Sequence, residues 1–138
     1  MPDSLVPTTE FLEAELKDRI LTIRLNRPDA LNAFRPEMLI GIAELAETAN
    51  AASDVSVIVL EGAGRAFSAG VDLKVLQNET PQAGKIGTVF DDAARRAYLA
   101  LRRCARPVIA KVHGACFTGA LEMARIADMK PLFGSHPT

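Results

Sequence analysis

An α/β fold is predicted from three observations. Apolar runs of strand length alternate along the chain with segments of helical period. Two of those strands open directly into glycine-bearing loops. No internal repeat or low-complexity segment interrupts the order. Element by element, residues 1–10 read as a loose leader. Residues 11–16 and 20–26 are strand candidates around Lys17, Asp18 and Arg19, and the second alternates apolar and polar side chains, so a hairpin is the simplest assignment. Asn26, Arg27, Pro28 and Asp29 break the strand. Pro36 then stands where a first-turn proline would, opening a helix to about residue 50 with Met38, Leu39, Ile42, Leu45 and Ala46 on one face.

Residues 55–60 form a continuous apolar strand, a pattern that predicts burial on both faces. Residues 77–88 carry little pattern. Residues 91–103, rich in Ala, Arg and Leu, read as a helix. Residues 107–112 read as a further buried strand, entering the loop His113-Gly114-Ala115-Cys116-Phe117-Thr118-Gly119, and a short helix over 120–127 follows.

The 138 residues suit one domain, organised as leader 1–10, core 11–129 and tail 130–138. With 49% apolar residues the chain can build a core without metals or disulfides. Sixteen basic against seventeen acidic residues leave a formal charge of −1, which argues for neither nucleic acid nor an anionic membrane surface as a partner. Cys104 and Cys116 lack metal-ligand spacing and read as reduced thiols. No apolar run has the ~20 residues of a membrane helix, and the acidic, proline-bearing start resembles no secretory signal, so a cytoplasmic location is expected.

Chemistry concentrates in two loops. Gly62-Ala63-Gly64 after a β-branched run suggests a dinucleotide fingerprint, but its third glycine would fall at Phe67 and no acid follows at the ribose-binding distance. No Gly-Lys-Ser/Thr sequence offers a phosphate loop either. Taken together, Ser68-Ala69-Gly70-Val71 and Phe117-Thr118-Gly119-Ala120 offer something else. Each follows a strand and sets small residues around a glycine just before a helix or turn. Two backbone donors there, aimed at one carbonyl oxygen, make an oxyanion hole. Glu122 lies one helical turn past Gly119, where a carboxylate can move a proton beside an activated carbonyl.

These residues resemble the enoyl-CoA hydratase/isomerase (crotonase) superfamily. Leu25-Asn26-Arg27-Pro28-Asp29-Ala30-Leu31-Asn32-Ala33 is similar to the family's entry motif. Arg65-Ala66-Phe67-Ser68-Ala69-Gly70-Val71-Asp72-Leu73-Lys74 is similar to its first oxyanion loop. Pro107-Val108-Ile109-Ala110-Lys111-Val112-His113-Gly114, continuing through Gly119 and Glu122 to Asp128, is similar to the second. The resemblance spans residues 11–129 and implies a β/α spiral that breaks off after the second oxyanion-loop helix. It makes the amides of Val71 and Gly119 the oxyanion donors and Glu122 the first of two hydratase glutamates. Residues Val71, Asp72, Leu73 and Lys74 would border the acyl-CoA, with Ala30, Leu31, Ala66 and Ala69 near its pantetheine and adenine, and Gly70 and Gly119 would also be substrate-binding. It implies an enoyl-CoA hydratase-type lyase of fatty-acid or related acyl-CoA metabolism, with an isomerase, another CoA-thioester enzyme or a silent acyl-CoA-binding fragment as alternatives. No separate cofactor is implied, coenzyme A being part of the substrate, and the full-length family member would be a homotrimer or hexamer.

Departures from the family pattern matter too. Its run of glycines in the second loop stands here as Thr118-Gly119-Ala120, and residues 131–138 hold no second carboxylate. On this resemblance the chain corresponds to the family's N-terminal half. Left by themselves, residues 107–112 and 120–127 are expected to expose apolar faces. Asp72 and Lys74 read as loop-fixing and surface residues, His113 as a structural hydrogen-bonding residue and His136 as a tail residue. Arg95, Arg96, Arg102, Arg103 and Arg106 read as a solvated helix face.

Overall fold

The computed structural model describes residues 10–72, 74, 88–117 and 119–129. The elements follow the expected order: strands β1 (Leu12–Lys17) and β2 (Ile20–Leu25), helix α1 (Pro36–Ala51), strand β3 (Val57–Gly62), helix α2 (Thr88–Arg103), strand β4 (Val108–Ala110) and helix α3 (Gly119–Met129). They build one four-stranded sheet in the order β1-β2-β3-β4. β1 and β2 are antiparallel, and β2, β3 and β4 run parallel. The hairpin turn is Asp18-Arg19, both with positive φ (53° and 67°), the backbone that matches the twist of a two-residue hairpin. Arg19 then ties the turn to the start of β3, its Nε donating to Ser56 Oγ (2.7 Å) and its carbonyl accepting Ser56 N (2.7 Å).

α1 begins at Pro36, whose missing N–H falls among the amides a helix leaves unpaired. Its buried face is the predicted one: Met38, Leu39, Ile42, Leu45 and Ala46 are all fully buried, against Leu21, Ile23, Ile58 and Leu60 in a single core. The C-terminus is closed from outside the helix. The Arg106 guanidinium donates to Ala49 O (3.2 Å) and Ala52 O (2.6 Å), and Asn50 Oδ1 accepts Ala105 N (2.6 Å). Arg106 is therefore a helix cap and not part of the solvated arginine face, because it lies past the end of α2, where its side chain meets orphan carbonyls. Arg95, Arg96, Arg102 and Arg103 are exposed as expected, with Arg96 paired to Glu47 at 2.7 Å. α2 starts at Thr88, three residues before the expected 91, and packs on α1 through Phe90, Ala93, Ala97 and Leu101.

The structure corrects the prediction that 55–60 is buried on both faces and the reading of 107–112 as a buried strand. In β3, Ile58 and Leu60 are buried while Val57 and Val59 are half-buried. In β4, Val108 is buried while Ile109 is 46% exposed. Ile58, Leu60 and Val108 join the helices in one core while Val57, Val59 and Ile109 are less covered, so the alternation of a half-covered strand forms from an apolar run. β4 is also shorter than 107–112. Its last bond to β3 is Lys111 N to Leu60 O (2.8 Å), and from His113 onward the chain pairs instead with the loop that follows β3. Val112, Phe117 and Leu121 are exposed with Ile109, which matches the expectation for this part of the chain. No described helix is long and apolar enough to cross a membrane.

Two glycines have no room for a side chain. A Cβ on Gly62 would overlap the carbonyl oxygens of Ala66 and Phe67. One on Gly114 would overlap Arg65 O, and Gly114 also holds φ +62°. Because the clashing atoms are backbone, they cannot swing away. Gly62→Ala and Gly114→Ala are each expected to lose ~2 kcal/mol or more of unfolding free energy in urea titrations. A midpoint unchanged from wild type would contradict the packing described.

Candidate active site

The parallel strands β2, β3 and β4 all end on the same side of the sheet, where open α/β sheets place ligands. Three loops leave there and lie against one another. The first, residues 26–34, makes a short 3-10 turn at Pro28–Ala30 and then takes two consecutive left-handed residues, Leu31 (φ 51°) and Asn32 (φ 55°). Such a backbone is unfavourable for leucine, and it persists because Asn32 is held on every side. Asn32 is fully buried. Its Oδ1 accepts Arg27 N (2.8 Å), and its Nδ2 donates to Ala63 O (2.8 Å) and Ala66 O (2.9 Å). Its carbonyl accepts Ser68 Oγ (2.6 Å).

The second loop, residues 63–72, is thereby fastened to the first. Ser68 Oγ also accepts Gly70 N (3.0 Å), and Gly70 turns the chain with φ +89°. Ala69 N bonds Leu31 O (2.8 Å), Phe34 N bonds Gly70 O (2.6 Å) and Asp72 N bonds Phe34 O (3.1 Å), so Phe34 and Val71 form a parallel bridge. Asp72 is buried, forms an ion pair with Arg27, and accepts Lys74 N at Oδ1 (3.0 Å). Arg27 in turn lies 5.3 Å over the Phe11 ring. Asp72 therefore acts as the loop-fixing residue expected.

The third loop, residues 111–117, closes on the other side of the second. Phe67 N bonds His113 O (2.7 Å), Ser68 N bonds Ala115 O (3.1 Å) and Phe117 N bonds Ser68 O (3.2 Å). His113 Nε2 lies 2.8 Å from Gly64 O, a structural tie between loops. Burial pushes the Cys116 thiol above its ordinary range, which disfavours a nucleophilic thiolate there.

Gly119 opens α3, with Ala120 N bonded to Phe117 O (3.0 Å). The Tyr98 hydroxyl, reaching across from α2, donates to Gly119 O at 3.1 Å. A Cβ on Gly119 would lie 2.8 Å from that hydroxyl and 3.7 Å from Phe34 Cδ2. Phe34 thus connects the two proposed donor positions, its backbone bridged to Val71 and its ring beside Gly119. Glu122 is exposed and lines a cleft of about 360 Å³ between α2 and α3, with Asp91, Arg95, Tyr98 and Arg102. Burial, with the charge of Glu122, pushes the Tyr98 phenol up to about 12.

Of the residues singled out from sequence, Ala30, Leu31, Ala66, Ala69, Gly70, Val71 and Asp72 meet in the loop stack. Ala66 and Gly70 are buried within it, and Lys74 is exposed at its border. Leu73, Thr118 and His136 lie outside the described residues. Three contributors went unassigned by sequence reading: Asn32, Phe34 and Tyr98. Asn32 stood inside the entry motif without a role, and Tyr98, the single tyrosine of the chain, was hidden in a helix read only for its arginines.

A hairpin leading into parallel strands, with stacked loops at their carboxyl ends and a glycine opening the next helix, defines a crotonase-like β/α spiral. The chain belongs to the enoyl-CoA hydratase/isomerase family, which it matches over residues 15–132. It is 30% identical over 132 residues to the peroxisomal Delta(3,5)-Delta(2,4)-dienoyl-CoA isomerase of Arabidopsis thaliana, covering 89% of this chain and 48% of that protein. It is 37% identical over 115 residues to a mevalonyl-coenzyme A hydratase of Beauveria bassiana, covering 80% and 41%. Among solved structures, an enoyl-CoA hydratase/carnithine racemase from Magnetospirillum magneticum superposes with a TM-score of 0.81 at 34% identity, covering 89% of this chain and 46% of that one. The chain spans about half the length of the relatives it matches.

Proposed function

We propose that this sequence forms the oxyanion half of an enoyl-CoA hydratase-type lyase. The observation that carries the reading is that Val71 and Gly119 both adjoin Phe34, one at its backbone and one at its ring, with Glu122 one turn past Gly119. The thioester oxygen of a 2-enoyl-CoA would sit between the Val71 and Gly119 amides, which stabilise it as the negative charge of the enolate develops. Glu122 would orient and deprotonate water, whose oxygen bonds to C3. The electron pair of the C2–C3 double bond moves to the thioester, and an acid returns a proton to C2. Small and backbone-rich surfaces at Ala30, Leu31 and Ala69 suit close approach of the pantetheine arm. The full-length protein would work as a homotrimer or hexamer in cytoplasmic acyl-CoA metabolism, fatty-acid breakdown included. A double-bond isomerase is the second reading, favoured by similarity to a dienoyl-CoA isomerase.

Glu122→Gln in the full-length protein is the test. General acid–base groups contribute ~10²–10⁴-fold, so hydration of crotonyl-CoA, followed by loss of its absorbance, is expected to fall by at least about 100-fold. CoA binding, measured by calorimetry, should change by less than about twofold. Collapse of binding together with rate would make Glu122 a structural residue, and unchanged turnover would remove it from the mechanism. Wild-type protein that converts 3-enoyl-CoA but hydrates nothing would decide for the isomerase.

A further inference from the structure

The cleft between α2 and α3 contains a side chain to which the acyl-CoA reading gives no task. Tyr98 is half-buried on α2, and its hydroxyl donates to the Gly119 carbonyl at 3.1 Å. This bond reaches the first residue of a helix, the turn most prone to fray, and that residue is a glycine with the widest backbone freedom. The contact is closely fitted, since a Cβ on Gly119 would lie 2.8 Å from the hydroxyl and 3.7 Å from the Phe34 ring. Glu122 lines the same cleft one turn along.

We propose that Tyr98 is a positioning residue, its hydroxyl holding the first turn of α3 so that the Gly119 amide and the Glu122 carboxylate keep a fixed direction relative to each other. The proposal rests on the reading that those two groups act on an acyl-CoA thioester. Tyr98 is not itself a proton donor in the reaction. Its hydroxyl is spent on a carbonyl, and burial together with the neighbouring carboxylate pushes the phenol up to about 12, so it stays protonated at neutral pH. What it supplies is preorganisation. Small errors in aim at an oxyanion donor or a base reduce the rate without weakening the hold on the rest of the substrate.

The experiment is Tyr98→Phe in the full-length protein, which keeps the ring and removes the hydroxyl. The expected result is a fall in kcat of about 5–10-fold, the scale of one neutral hydrogen bond, with KM within about twofold. Amide exchange followed by mass spectrometry should speed up over residues 119–123 and stay unchanged in α1 and the sheet. Combined with Glu122→Gln, the hydroxyl deletion should add little, because both act through one step. Unchanged kcat with unchanged exchange overturns the proposal, as does a parallel loss of kcat and rise in KM with faster exchange throughout. Should the wild-type protein turn over no enoyl-CoA, the functional reading falls separately. The exchange measurement then decides alone, local loosening at 119–123 supporting the role of Tyr98 and none overturning it.

Discussion

On the proposed hydratase reading, Gly119→Pro is expected to lower the turnover of the full-length protein by ~10²–10³-fold, the loss typical when one oxyanion donor is removed. Proline deletes the amide hydrogen while leaving a residue that the first position of a helix accepts. α3 itself should therefore persist, and circular dichroism should show unchanged helix content. The added Cβ would approach the Tyr98 hydroxyl at 2.8 Å, so a steric effect has to be separated from the electrostatic one. Gly119→Ala makes that separation, since it brings the same Cβ and keeps the donor. Alanine should lose far less turnover than proline. Equal losses in the two variants would assign the effect to crowding at Tyr98, and a proline variant with normal kcat would remove Gly119 from the oxyanion hole.

The second large effect concerns stability. Asn32→Asp changes almost no volume, yet it is expected to destabilise the fold by ~3–5 kcal/mol at neutral pH, the range for an uncompensated buried charge. The asparagine amide nitrogen faces two carbonyl oxygens, Ala63 O and Ala66 O. A carboxylate in its place turns two donated hydrogen bonds into two repulsions, with no water to relieve them. When protonated, the introduced carboxyl can donate to one of the carbonyls and leaves the other unmet, which restores part of the loss. Its folded pKa must then exceed the unfolded value near 3.9. The deficit against wild type should therefore grow as pH rises from about 4 towards the folded pKa, hold constant above that pKa, and level off at its smaller value below about 4. Urea titrations of both proteins across that range check the sign. A deficit independent of pH would mean that the site admits solvent.

Much of the architecture was legible because it is periodic. The alternation in residues 20–25 and the 3.6-residue spacing of Met38, Leu39, Ile42, Leu45 and Ala46 each report which face is buried, and the structure places those faces accordingly. The small residues of the two loops were legible for a different reason, since glycine and alanine mark places where backbone must approach something closely. What escaped were features that depend on what lies opposite. Whether Val59 and Ile109 are covered depends on layers against the far face of the sheet, and no run of apolar residues encodes that. Arg106 looked like its neighbours until the end of α1 was found beside it. Asn32 and Tyr98 act through side-chain hydrogen bonds to backbone far away in sequence, two from the Asn32 amide and one from the Tyr98 hydroxyl, and such bonds leave no pattern in the residues around them.

The Asn32 cluster has a consequence for how the chain acquires its shape. Its side-chain bonds join residues 31 and 34 positions apart, and the Ser68 bond to its carbonyl spans 36. Closing loops of that length adds little free energy, about 0.6 kcal/mol for each doubling. The order of events is another matter, because contacts so distant form after the local ones. A nascent chain that has released β1, β2 and α1 already holds Asn32 but none of the carbonyls that its amide will meet. The third loop, through Phe117, must also emerge before the second is braced on both sides. The loop stack where chemistry is proposed therefore takes form only with the long-range pairing of the sheet, and a chain released no further than the end of α1 carries a hairpin and a helix without the site.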